Sequence, residues 1–139
     1  MTGAIDKYLT STGQVLPQNH PAYVRLILES LALKYKYVLE MFKEFSPFEI
    51  NKLHIIGGGS KNSLLNQFTA NATGIEVIAG PSEATAIGNI MVQARAAGMV
   101  ETLQQMRDMI AKAVETTLFV PGDTQDWEEA YNRFVRIIK

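Results

Sequence analysis

At 139 residues, 47% of them hydrophobic and 19% charged, the chain suits one packed domain and has no disordered composition. Its 13 Lys and Arg against 14 Asp and Glu give a formal net charge of -1, so no field of one sign draws nucleic acid or an anionic membrane. With no cysteine, disulfide and thiolate chemistry are excluded, and His20 and His54 lie too far apart for zinc-ligand spacing.

No apolar run approaches the roughly 20 residues that span a bilayer. Residues 1–14 lack the basic and apolar blocks of a signal peptide. A soluble, cytoplasmic protein is expected, with no nucleic-acid or membrane partner.

In chain order, Ala4-Ile5 and Tyr8-Leu9 predict one or two helical turns, broken at Thr12-Gly13-Gln14. A long helix follows from Pro21, a residue suited to a first helical position, to Ser46-Pro47. Val24, Leu28, Leu31, Tyr35, Val38, Phe42 and Phe45 recur at alternating steps of four and three and form one apolar stripe. Arg25, Glu29, Lys36, Glu40 and Lys43 are expected on the other side. Leu53 to Ile56 reads as a short buried strand stopped by Gly57-Gly58-Gly59. The next helix begins near Ser60 to Asn62, turns Leu64, Leu65, Phe68 and Ala72 inward, and is capped by Gly74.

Glu76 to Ala79 reads as a second strand, closed by Gly80-Pro81. Ser82 is the expected N-cap of a helix running to about Ala97, rich in small residues and interrupted by Gly88. Another helix covers roughly residues 101–115. Residues 119–122 are extended and then turn, and a last helix carries Trp127, Ala130, Tyr131, Phe134, Ile137 and Ile138 on one face. The tyrosines, phenylalanines and Trp127 at helical spacings are expected in the core. Two strands joined by a helix imply a parallel pair, hence an α/β fold.

The sharpest chemical feature is Ile55-Ile56-Gly57-Gly58-Gly59-Ser60-Lys61-Asn62-Ser63. Glycines let backbone approach a ligand closely, and a helix starting beyond them offers unpaired N–H groups. Together they suit a phosphate or nucleotide, and the Asn62 amide suits a base or ribose edge. The bland alternative is a tight turn with no ligand. Neither G-x-x-x-x-G-K-[ST] nor G-x-G-x-x-G fits these residues. Gly80 to Asn89 repeats the junction one unit later, at the same end of a parallel pair. For Ala84, Ala86 and Gly88 close helix packing competes with a ligand wall. His54 needs no catalytic role, and Lys61 reads as a solvated charge.

These residues carry a resemblance. Ile55 to Asn62 with Leu64-Leu65-Asn66-Gln67-Phe68 resembles the adenosine-binding loop and helix of FGGY carbohydrate kinases. Val77 to Pro81 with Glu83 to Asn89 is similar to the segment that follows in that family, and the wording is closest to its L-rhamnulokinase branch. Ala4-Ile5 to Tyr8 and Thr12 to Pro17 fit the same branch. The resemblance implies part of an actin-like ATPase, ribonuclease-H-like domain: two clear parallel strands with several packed helices, residues 1–139 being the C-terminal part of the second domain.

It also implies an adenine nucleotide, ATP or ADP with Mg²⁺, near Gly57, Gly58, Gly59, Ser60 and Asn62. Glu83, Ala84, Thr85 and Gly88 would form the neighbouring wall. No residue here corresponds to the family's catalytic aspartate, its sugar-binding residues or a metal ligand. The chain is therefore expected to be a fragment of an ATP-dependent kinase of L-rhamnulose, inactive alone, with other FGGY substrates (xylulose, fuculose, gluconate) as alternatives. A non-catalytic interaction module is the rival reading. The apolar surface of the long helix exceeds what a two-strand remnant covers, so a homo-oligomer, such as a dimer paired through a strand edge or that helix, is expected, or else the missing half as its cover.

Overall fold

The computed structural model describes residues 2–122 and 124–138. Among them the order is α1 (Thr2–Ser11), α2 (His20–Phe45), β1 (Lys52–Ile55), a 3-10 turn (Gly58–Lys61), α3 (Ser63–Thr73), β2 (Glu76–Ala79), α4 (Ala84–Ala96), α5 (Leu103–Ala113), β3 (Thr117–Phe119) and α6 (Gln125–Ile138). The sheet runs β1-β2-β3. β1 and β2 are parallel, with Leu53 opposite Val77 and Ile55 opposite Ala79. α3 is the crossover that a parallel pair requires.

α2 starts where the sequence signals it. The Asn19 side chain accepts from the Ala22 N–H at 3.0 Å, and Pro21 occupies the first turn. α1 is latched to this end by the Tyr23 hydroxyl, which donates to Asp6 at 2.5 Å. That hydrogen bond raises the Tyr23 pKa, with smaller contributions from burial and the Asp6 charge. Gly74 ends α3 in the left-handed conformation, φ 70°. Inside α3, the buried hydroxyls of Thr69 and Thr73 bond back to the Leu65 and Thr69 carbonyls at 2.7 Å.

The main core lies between α2, α3 and α6. Ala32, Leu33 and Ala72 are buried, with Phe68, Trp127, Ala130, Tyr131 and Phe134 packed around them. Val77 of β2 is fully buried. Met91, Val100 and Met106 form a second cluster that joins α4 to α5. A capping box at Thr102 and Gln105 fixes the start of α5.

Four expectations change. The buried residues of α2 are Ala32, Leu33, Lys36 and Leu39. At 3.6 residues per turn these lie roughly 100° around the helix from the seven-residue stripe. Of that stripe, Val24, Leu31, Tyr35, Val38, Phe42 and Phe45 are exposed, Phe45 at 82%. Lys36, expected on the polar side, is buried instead. Its ammonium pairs with Glu128 and lies 4.7 Å from the centre of the Tyr131 ring.

β3 is a third strand, antiparallel to β2, with Phe119 opposite Val77. Its three residues are too few for alternation to register. Ser82 does not cap α4. Glu83 occupies that position and its side chain makes no capping bond. Leu64 is 49% exposed and not inward-facing.

Candidate nucleotide-binding loops

The two glycine junctions are joined by backbone. Gly57 N–H donates to Pro81 O at 3.0 Å, and Gly80 N–H donates to Ile55 O at 2.9 Å. The ends of β1 and β2 are thereby held side by side, with both loops beyond the carboxyl ends of parallel strands. Gly57 sits at φ 77°, a conformation that L side chains resist. Gly80 is glycine for a different reason. A Cβ there would stand 2.7 Å from Thr116 Cγ2 and 3.3 Å from the Glu115 carbonyl.

Beyond Gly57 the chain closes into the 3-10 turn. Gly57 O accepts from Ser60 N–H at 3.1 Å and from Ser60 Oγ at 2.7 Å. Gly59 O accepts from Asn62 N–H at 3.1 Å. Asn62 is the N-cap of α3, its Oδ1 accepting from Leu65 N–H at 3.0 Å. Its Nδ2 has no partner among the described residues. The Gly58 and Gly59 N–H groups donate to no carbonyl or side chain among the described residues. A Cβ on Gly58 would meet nothing within 4 Å. Among the described residues the loop thus offers two amides with no hydrogen-bond partner and open space where a Gly58 side chain would stand.

The second expected wall lies at the start of α4. Glu83 and Thr85 are exposed, and Ala84 and Gly88 are half-buried. Apart from α4's own backbone, no atom of the described residues lies within 4 Å of a Cβ built on Gly88. No packing contact among the described residues calls for glycine here. His54 is exposed in β1, and Lys61 is exposed and forms no ion pair among the described residues. Among the described residues no group of three His, Cys, Asp or Glu could hold a metal ion. No helix of the described residues is long and apolar enough to cross a membrane. A separate depression between α2 and α3, lined by His20, Pro21, Val24, Arg25, Leu64 and Phe68, shares no residue with the two loops.

Asn66 lies in the helix that carries the resemblance, but the sequence pattern gives it no role of its own. It is fully buried, and its Nδ2 donates to Ser60 O at 2.9 Å. The available signal was an amide beside Leu65 and Thr69 on the inward side of an amphipathic helix.

Residues 1–97 match the C-terminal domain of the FGGY family of carbohydrate kinases. The chain belongs to the FGGY family. It has the family's mixed α/β, actin-like ATPase and ribonuclease-H-like character, here with six α-helices and a three-stranded sheet among the described residues. Both glycine junctions lie inside the matched FGGY segment. The chain is similar to a rhamnulokinase of Bacteroides thetaiotaomicron, 48% identical over 139 residues, which cover 100% of this chain and 29% of that protein. It is similar to a rhamnulokinase of Oceanobacillus iheyensis, 40% identical over 110 residues, which cover 79% of this chain and 23% of that protein. A rhamnulokinase of Pectobacterium atrosepticum is 38% identical over 134 residues, covering 96% and 27% respectively. The chain spans less than a third of the length of these curated relatives.

Proposed function

We propose that the chain forms the nucleotide-facing wall of an ATP-dependent sugar kinase of the rhamnulokinase type. The observation that carries this reading is the pair of unpaired amides on Gly58 and Gly59, with open space where a Gly58 side chain would stand. Free amides at a strand–helix junction suit phosphate oxygens. Gly57 and Ser60 hold the loop in shape. Asn62 keeps an unused Nδ2 for an acceptor on the base or ribose while its Oδ1 caps α3. Glu83, Ala84, Thr85 and Gly88 form the facing wall.

In the longer protein, ATP with Mg²⁺ supplies the γ-phosphate, and the acceptor is a ketose hydroxyl, L-rhamnulose giving L-rhamnulose 1-phosphate in the cytoplasm. Phosphoryl transfer requires nucleophile, metal and phosphates in one geometry. This chain supplies loop amides and one wall, so alone it binds nucleotide and transfers nothing.

Calorimetric titration of the chain with ADP and Mg²⁺ tests the reading. Saturable binding is expected, abolished by Gly58→Val, with no sugar-dependent ATP turnover. A folded chain that takes up no ADP, or a Gly58→Val variant that binds as well, overturns it.

A second reading concerns association. The exposed stripe of α2 repeats at the four-three spacing of a helix seam, which suits a helical cover, either a second copy of the chain or the rest of the longer protein.

A further inference from the structure

We infer that Asn66 is a positioning residue that pins the glycine loop in its nucleotide-receiving shape; this rests on the nucleotide reading above. Asn66 lies one turn into α3, entirely out of solvent. Its Nδ2 reaches back six residues to Ser60 O at 2.9 Å. That carbonyl belongs to the 3-10 turn and not to α3, so the amide is a strut between the rigid helix and the loop. A peptide unit is planar, and its C=O and N–H point in opposite directions. Drawing Ser60 O inward therefore fixes the plane of the Ser60–Lys61 peptide. The turn's own bonds, Ser60 to Gly57 and Asn62 to Gly59, carry that constraint back to the Gly58 and Gly59 amides.

The other half of the side chain argues against a role in packing alone. Asn66 Oδ1 is buried and has no hydrogen-bond partner among the described residues. An unpaired buried acceptor costs free energy that a similarly sized apolar residue would avoid. Leucine at this position would fill the space without that cost, but it could not hold Ser60 O. The asparagine is thus matched to the loop's shape more than to the stability of the core.

The test compares the wild-type chain with Asn66→Leu and Asn66→Ser. Serine is smaller and cannot overpack, so it carries the same readings if the leucine variant does not fold. Amide exchange followed by NMR reads the loop directly. At Ser60 and Asn62 it is expected to accelerate about tenfold or more once the strut is gone, while Thr69 and Ala70 within α3 keep their protection. The Kd for ADP is expected to rise about five- to tenfold, the share of one hydrogen bond, at a melting temperature close to wild type for the leucine variant.

Unchanged exchange at Ser60 and Asn62 overturns the inference. So does an unchanged ADP affinity in a variant whose wild-type parent binds. If the wild type itself takes up no ADP while exchange accelerates in the variants, the pinning of the loop stands and the nucleotide reading fails.

Discussion

Adding one methyl group at each of two glycines, Gly80→Ala and Gly58→Ala, should give opposite results. Gly80 lies under the lead-in to β3. Its new Cβ would stand 2.7 Å from Thr116 Cγ2, 3.2 Å from Thr116 Cβ and 3.3 Å from Glu115 O. Carbon atoms prefer separations of about 3.5–4.0 Å, so the first contact overlaps by about 1 Å. Thr116 can turn its Cγ2 aside. Its Cβ and the Glu115 carbonyl cannot move without shifting backbone. Overpacking of this kind costs about 1–3 kcal/mol, and the backbone neighbours place Gly80→Ala in the middle of that range.

Apart from its chain neighbours, Gly58 has no atom of the described residues within 4 Å of its added Cβ, and it has no positive φ. Alanine there should stabilise by about 0.4–1 kcal/mol, by restricting the unfolded chain. The two variants therefore differ by about 2–3 kcal/mol, which for a domain of this size is roughly 10 °C in melting temperature. Circular dichroism melts of both variants beside wild type read the difference. Gly58→Ala should also weaken ADP binding while the protein becomes no less stable. A Gly80→Ala protein that melts as high as Gly58→Ala would refute the reasoning, because the contact that separates them would then relax without cost.

Other variants probe the core and the exposed helix face. Glu128→Ala leaves the buried Lys36 ammonium over Tyr131 without its carboxylate, while Lys36→Met keeps the aliphatic stem and removes the charge. Glu128 is 59% exposed, so the loss in Glu128→Ala should be nearer about 1 kcal/mol than the full cost of breaking a buried pair, and urea unfolding should show Lys36→Met less affected. Trp127→Ala removes a ring 5.2 Å from Phe68 and should cost about 2–3 kcal/mol, below the range for a fully buried tryptophan because Trp127 is only half-buried. Val38→Glu with Phe42→Glu should lower the association state of the chain in sedimentation runs without lowering its helix content, since both side chains point to solvent.

β1, β2 and the two glycine junctions could be read from local residue patterns, although β1, expected to be buried, alternates exposed and half-buried residues and Ile56 beyond it is 62% exposed. Short Ile- and Val-containing runs end at Gly57 and Gly80, and a φ of 77° at Gly57 leaves little choice of residue. Gly74 as a helix end and Pro21 as a start are equally local signals. The helix faces were less readable. Periodicity groups Val24 to Phe45 on one side of α2 but does not say which side meets α3 and α6. Ala32 and Lys36 win that side because a small residue lets α2 approach closely, and the lysine finds Glu128 from a helix 92 residues away. β3 also depends on distant partners, since its three residues become a strand only against β2. Asn66 was hidden for the same reason: its meaning lies in Ser60 O, which only the folded turn brings within 2.9 Å.

The glycines divide by cause, and the division bears on function. Gly13, Gly57, Gly74 and Gly98 sit at positive φ, and Gly80 is hemmed in by Thr116 and Glu115. Each is required by the fold. Gly58 and Gly88, like Gly3 in α1, have neither a positive φ nor, among the described residues, a contact within 4 Å of an added Cβ. Glycine in the interior of α4 costs about 1 kcal/mol relative to alanine, and no close contact among the described residues offsets it. The two residues belong to the two junctions that the Gly57–Pro81 and Gly80–Ile55 hydrogen bonds hold side by side. On the proposed reading, one nucleotide lying close to both would account for the pair together. The free amides of Gly58 and Gly59 then favour a phosphate-bearing ligand over an apolar one.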